Sequence, residues 1–185
     1  MAYKLQLIWV NIEFGGVMKK ITLFLAILSV AVLVYGIVTT KEITKTFEVN
    51  DKTGLIIDNL NGSIEISGWD KDFVDVVVTK KTKHGSIALE NVDIIMTQKD
   101  DITLETKHLK RNPKVTVIYE VHVPKKMLLK NIKSSNGSIT IKDAGKTDIV
   151  RTSNGTIKIT NCAGKINVNT SNGSITAEDI NGSVI

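Results

Sequence analysis

The three histidines, His84, His108 and His122, are the natural candidates for a general base, and Cys162 is the single thiol that could serve as a nucleophile. Such chemistry needs base and nucleophile within hydrogen-bond reach, with a third group holding the imidazole. No Ser, Cys or carboxylate stands at a recognisable spacing from these histidines. His122 alternates with Val121 and Val123, which places it on the solvent face of a strand, and His84 and His108 lie beside lysines in turns and read as solvated. One cysteine excludes an internal disulfide, and no second thiol or nearby histidine completes a metal-ligand pattern. Hydrolysis of a glycosidic bond needs two placed carboxylates. The acids towards the carboxy end, Asp143, Asp148, Glu178 and Asp179, fall at different places in the local pattern, so no acidic pair recurs on neighbouring strands. The expectation is a protein that is not an enzyme and has no cofactor or metal.

The side chains that do recur at a fixed interval are amides. Ser135-Asn136-Gly137-Ser138-Ile139, Ser153-Asn154-Gly155-Thr156-Ile157 and Ser171-Asn172-Gly173-Ser174-Ile175 repeat with a period of eighteen and no gap. Self-similarity at a fixed period is the signature of a stacked architecture. A second glycine in each period, Gly145, Gly164 and Gly182, divides it into two short strands joined by two turns, a plausible single coil of a β-solenoid or β-helix. Equivalent positions in successive coils would then lie about 4.8 Å apart. Ile139, Ile157 and Ile175 form one expected core ladder; Ile141, Ile159 and Ala177 form a second; Ala144, Cys162 and Ile180 form a third, with Cys162 as a small buried apolar residue. Gly145 comes one residue early relative to Gly164, which implies a local shift in the first coil. At the turns, Asn136, Asn154 and Asn172 can bond their neighbours above and below, while Gly137, Gly155 and Gly173 take unusual backbone angles. The alternative is that these amides and the adjacent hydroxyls bind a sugar or an ion. Calcium-binding repeats carry aspartate in such turns, and these carry Asn and Ser.

The elements ahead of the repeats are also strands. Ile43, Lys45, Phe47 and Val49 share one face, and Asn50-Asp51-Lys52-Thr53-Gly54 closes that strand. Asn61-Gly62 is a tight-turn dipeptide, after which Ile64 and Ile66 point inward. Phe73 to Thr79 is nearly continuously apolar, as in a strand covered on both faces, and the lysines at 80, 81 and 83 end it. Further strands are expected over Val92 to Thr97, Ile102 to Thr106 and Val115 to Val123, the last stopped by Pro124, which lacks an amide hydrogen for the ladder. Frequent Ile, Val and Thr with only 5% aromatic residues fit the same all-β reading.

Charge and hydropathy set the surroundings. A chain of 185 residues with 42% hydrophobic content has room for one domain and a targeting segment. Its net charge is +5, but Lys4, Lys19 and Lys20 precede Lys41, as does Glu13 alone among the acids, so the part from Lys41 onward carries +3. Those lysines alternate with acids, without the concentrated basic face and stacking aromatics of a nucleic-acid binder. Ile21 to Val38 is eighteen residues long without a charge, at the lower limit for a membrane-crossing helix. Lys19 and Lys20 hold its amino side in the cytoplasm, which sends the rest outside. Tyr35-Gly36-Ile37-Val38 offers no small-residue cleavage pattern, so an uncleaved signal anchor over residues 18–40 is expected. Met18-Lys19-Lys20 ahead of an apolar run is the usual start of an exported protein; residues 1–17 are then either a mis-assigned start or a short cytoplasmic tail. Residues 41–185 form the β-rich domain, with the repeats over 135–185.

With Asn61-Gly62-Ser63-Ile64, Gly68-Trp69-Asp70, a strand ending Val123-Pro124 and the reiterated S-N-G-S/T-I units in this order, the chain from Glu42 to Ile185 resembles the "putative adhesin" family of unknown function, the DUF4097 type. The resemblance implies a β-helical, extracytoplasmic, often membrane-anchored domain with links to adhesion or envelope stress. It brings no catalytic residues. The combined expectation is an all-β fold: amino-terminal strands continuing into a short β-solenoid of about eighteen-residue coils, behind one transmembrane or signal-anchor helix. Its role would be that of a non-catalytic adhesin or envelope-binding module. Expected partners are the membrane, through that helix, and envelope polysaccharide or another envelope protein, but not nucleic acid. Alternatives are a self-associating envelope-stress or regulatory accessory, pairing through the coil left open at Asn181 to Ile185, and a polysaccharide-active β-helix enzyme.

Overall fold

A computed structural model describes residues 38–185. The stretch 1–17 and the apolar segment, apart from Val38, lie outside the described residues. Among the described residues no helix is long and apolar enough to cross a membrane.

The fold is all-β. Among the described residues alternating apolar positions give twelve strands: β1 (Thr39–Glu48), β2 (Gly54–Asn61), β3 (Ile64–Trp69), β4 (Phe73–Thr82), β5 (Val92–Gln98), β6 (Ile102–His108), β7 (Thr116–Pro124), β8 (Leu128–Asn136), β9 (Ile139–Lys142), β10 (Thr147–Asn154), β11 (Ile157–Asn172) and β12 (Ile175–Val184). One 3-10 helix, Ser86–Asn91, sits between β4 and β5. The strands form a single sheet in the order β1-β4-β7-β3-β9-β11-β10-β8-β2-β6-β5, with β12 also on β11. The sixteen-residue β11 turns the corner: its beginning pairs with β9 and its end with β10. The sheet thus folds back on itself, and its two halves enclose one core that draws residues from strands of both.

Pairing within the repeats is parallel and offset by eighteen residues. Ile157 stands opposite Ile139 and Ile175, Ile159 opposite Ile141 and Ala177, and Cys162 opposite Ile180. Ile139, Ile141, Ile157 and Ile159 are fully buried and Cys162 nearly so. Each such isoleucine removed from water stabilises the fold by roughly 1.5–3 kcal/mol. The shift at the first coil is visible as a bridge between Lys146 and Ala163, an offset of seventeen between two stretches offset by eighteen.

Three departures from the sequence expectation have clear causes. Ile175 holds its place in the ladder register but is 44% exposed, because among the described residues β12 pairs with β11 alone. Strand β4 is not covered on both faces: Val74, Val76 and Val78 are buried while the residues between them are partly exposed, because β4 is paired with β1 and β7 and faces the core on one side only. Nor does Lys80 end that strand. It is buried, and its Nζ donates 2.8 Å hydrogen bonds to the carbonyls of Leu89 and Val92 at the 3-10 helix, so polarity there marks an inward cap.

The leading strands are also not a separate layer. β2 pairs with β8 and β3 with β9, which places Asn61 beside Asn136 and Ile64 beside Ile139. The Asn61-Gly62-Ser63-Ile64 turn is therefore one more rung of the repeat column; β6 and β7 flank that rung in parallel with β2 and β3, and β5 and β4 add to them antiparallel.

Candidate functional site

At the turn between each pair of strands, one amide meets the next. Asn172 Nδ2 donates to Asn154 Oδ1 at 2.9 Å and Asn154 Nδ2 donates to Asn136 Oδ1 at 2.8 Å, while Asn136 Nδ2 reaches the Leu60 carbonyl at 3.4 Å. The glycines that follow are required by close approach. A Cβ on Gly137 would overlap the carbonyl oxygen of Gly62, one on Gly155 that of Gly137, and one on Gly173 that of Gly155. Those carbonyls accept from side chains in the preceding strands: the Ser134 hydroxyl and the buried Asn59 amide donate to Gly62, the Thr152 hydroxyl to Gly137, and the Thr170 hydroxyl to Gly155. The amide column is thus bonded along its own axis.

The second turn of each repeat carries a second column that the sequence pattern did not reveal. Asp143, Asn161 and Asp179 all adopt left-handed backbone, with φ of 52°, 51° and 53°, and Asn161 Nδ2 donates to Asp143 Oδ1 at 2.7 Å. Asp and Asn tolerate this conformation best among residues with a Cβ. Their eighteen-residue spacing was the available signal. Asn161 separates the two carboxylates, while Glu178 pairs with Lys158 and Asp148 lies exposed on β10. Among the described residues no three His, Cys, Asp or Glu side chains converge as a metal site.

The single thiol is inert in its setting. Cys162 Sγ donates to the Thr160 carbonyl at 3.3 Å, and burial pushes the thiol above its ordinary pKa. Across the core, Asn59, Thr106 and Tyr119 form a buried polar chain: Thr106 Oγ1 donates to Asn59 Oδ1 at 3.0 Å and lies 2.8 Å from Tyr119 Oη. Burial drives the Tyr119 phenol up to about 12, so it stays protonated. Asn59 Nδ2 also donates to the Val117 carbonyl, tying the two halves of the sheet together.

Two concave regions lie at opposite ends of the strands. At one end a groove of ≈ 590 Å³ is lined by Val38, Lys81, Lys83, His84, His108 and Lys114, together with Asn61, Ser135 and Asn136 from the amide column. Every described residue lining it is neutral or basic. Thr82 Oγ1 shapes one wall by donating to the Lys114 carbonyl at 2.7 Å and accepting from the His84 amide at 3.2 Å. His108 departs from its expected solvated state: its Nε2 is buried without a hydrogen-bond partner, and desolvation lowers its pKa, favouring the neutral ring. At the other end, Trp69 lies edge-on to Phe73 and stacks on the exposed His122, at centroid distances of 4.8 and 5.1 Å. Its indole nitrogen donates to the Phe73 carbonyl, and Lys71 Nζ sits 4.3 Å from the ring centre. The three histidines therefore fall at two different ends.

No family model matches the chain and no curated protein matches it. Among solved structures it is similar to a "putative cell adhesion protein" from Clostridium sporogenes ATCC 15579, with 14% identity, 79% of this chain and 96% of that one covered, and a TM-score of 0.41. It is also similar to a "putative adhesin" from Parabacteroides distasonis ATCC 8503, with 17% identity, coverages of 77% and 67%, and a TM-score of 0.40. A third, a "putative adhesin" from Parabacteroides merdae ATCC 43184, shares 9% identity over 78% of this chain and 95% of that one, with a TM-score of 0.29. Likeness of this degree leaves function to be read from the residues.

Proposed function

We propose that the chain is a membrane-anchored, extracytoplasmic module with a β-solenoid stack at its carboxy end, and that it binds cell-envelope material as an adhesin-like or structural protein without catalysing a reaction. The amide column carries this reading. The repeat brings Asn136, Asn154 and Asn172 together, and their amides bond one another from coil to coil instead of converging on an open site. A recurring motif whose polar groups are satisfied internally is a means of building length and surface. The binding surface is then sought outside the column, and the uncompensated lysines at its end suit anionic envelope polymers or head groups. The apolar run Ile21 to Val38 behind two lysines supports the anchor and its orientation.

The test is retention. The full chain in mild detergent is incubated with isolated envelope material and eluted with a salt gradient. Retention that weakens as salt rises is the expected result, because exposed charges are screened. Failure to be retained by any envelope fraction at low salt would count against the binding role, and a turnover abolished by substitution with the fold intact would count against the scaffold reading.

A further inference from the structure

We propose that the groove lined by Lys81, Lys83, His84, His108 and Lys114 is a seat for the phosphate of an anionic lipid head group, which fixes this end of the domain against the bilayer. The inference rests on the anchoring reading above and adds the ligand and the orientation.

Position is the first argument. Val38 is the last residue of the apolar run and lines the groove, and Thr39, the next residue, already opens β1 opposite Thr82. An extended residue spans at most about 3.6 Å, so in the anchoring reading the groove residue Val38 stands directly at the end of the apolar run. Charge is the second. Among the described residues no carboxylate lines the groove, and Lys81, Lys83 and Lys114 take part in none of the five ion pairs. Elsewhere lysines do find acids, as Lys130 does with Asp101 at 2.7 Å and Lys125 with Asp70 at 2.9 Å. Three uncompensated ammonium groups around one concavity attract a phosphate, and basic groups next to a membrane segment are drawn to anionic lipid. A polar atom is the third: among the described residues His108 Nε2, on a residue lining the groove, is buried without a partner. The other end does not fit this role. It lies eight residues further along β7, at Pro124 against Thr116, about 26 Å away, and carries the acids Asp51, Asp70 and Asp72 among its lining residues.

The histidines provide the readout. His84 and His108 lie in the groove and His122 at the distal end of β7, so carbethoxylation by diethyl pyrocarbonate, followed residue by residue by mass spectrometry, compares site and control in one molecule. The full chain is reconstituted into vesicles of phosphatidylcholine alone or with phosphatidylglycerol, at low salt. In the anionic vesicles His84 should react about tenfold more slowly than in the neutral ones, with His122 unchanged. The triple variant K81Q/K83Q/K114Q, altered at side chains that are at least partly exposed, should fold and lose the difference. Equal His84 rates in both vesicles would overturn the proposal, as would protection that persists in the triple variant, which would be an effect of surface potential alone. Soluble polyglycerol phosphate added to neutral vesicles separates the sources: full protection by that polymer would assign the groove to a wall polymer and overturn the lipid assignment. Alkaline carbonate extraction run in parallel reports the anchor. A chain released by carbonate fails the anchoring reading, whereas a chain that stays membrane-bound with equal His84 rates fails the groove alone.

Discussion

Lys80 shows how one buried charge is accommodated and what it costs. Lys80 is buried, and its ammonium is satisfied by two carbonyls, Leu89 and Val92, at 2.8 Å. Its pKa lies below the usual lysine value, chiefly through desolvation and then through repulsion from Lys41, with Glu90 and Asp93 acting in the opposite sense. The folded state therefore binds the proton less tightly than the unfolded chain. Between the lowered folded pKa and 10.5 the unfolded state holds more protons, so this group's contribution to stability rises with pH across that window. Lys80→Met keeps the aliphatic bulk but leaves two buried carbonyls without a donor, a loss of about 1–3 kcal/mol. In urea unfolding the variant should be less stable than wild type, and the gap should widen from neutral pH towards 10.5. A gap that narrows with rising pH would show that the ammonium is not penalised by burial.

At the scale of the elements, the turn column separates two kinds of residue that the repeat places side by side. Asn154 is exposed and contributes two amide bonds, so Asn154→Ala should cost about 1 kcal/mol. Gly155 is held against the backbone of Gly137, and a methyl group there must push the two neighbouring turns apart; Gly155→Ala should cost about 2–3 kcal/mol. Urea midpoints of the two variants check the order, and an Asn154→Ala loss larger than that of Gly155→Ala would mean that the amides, not the close backbone approach, set the coil spacing. The column was legible because its members are equally spaced: an interval of eighteen puts Asn136, Asn154 and Asn172 on one line whatever the details of each strand. Asn61 on the same line was not legible, since the flanking strands β4 to β7 are inserted between it and Asn136 and erase the interval. Lys80 read as a strand end because its acceptors come from a 3-10 helix nine to twelve residues later, with no periodic mark. The groove was illegible for the same reason on a larger scale. Val38, Lys81 to His84, His108 to Lys114 and Ser135-Asn136 are brought together only by the strand order.

Over the whole domain, the two ends of the strands are chemically unlike, and this asymmetry gives the topology its sharpest test. One end combines Val38, the amide column and the uncompensated lysines; the other carries the Trp69, Phe73 and His122 cluster, the Lys125–Asp70 pair and the exposed Lys125-Lys126 turn between β7 and β8. Trypsin applied to intact cells should degrade residues 41–185 if the lysine pair at 19 and 20 holds the amino side in the cytoplasm. The order of cleavage adds information. Exposed loops are the preferred sites of proteolytic nicking, and both Lys110-Arg111 and Lys125-Lys126 are exposed. A domain seated with its groove on the bilayer shields Lys110-Arg111 and presents Lys125-Lys126 to the protease, so the first fragments from cells should end at Lys125 or Lys126. Detergent solubilisation removes the shield, and cleavage at Lys110-Arg111 should then become as early. Protection of the whole domain until lysis would refute the extracytoplasmic placement. An unchanged order of cleavage in cells and in detergent would leave the anchor standing while showing that the basic end of the sheet does not face the membrane.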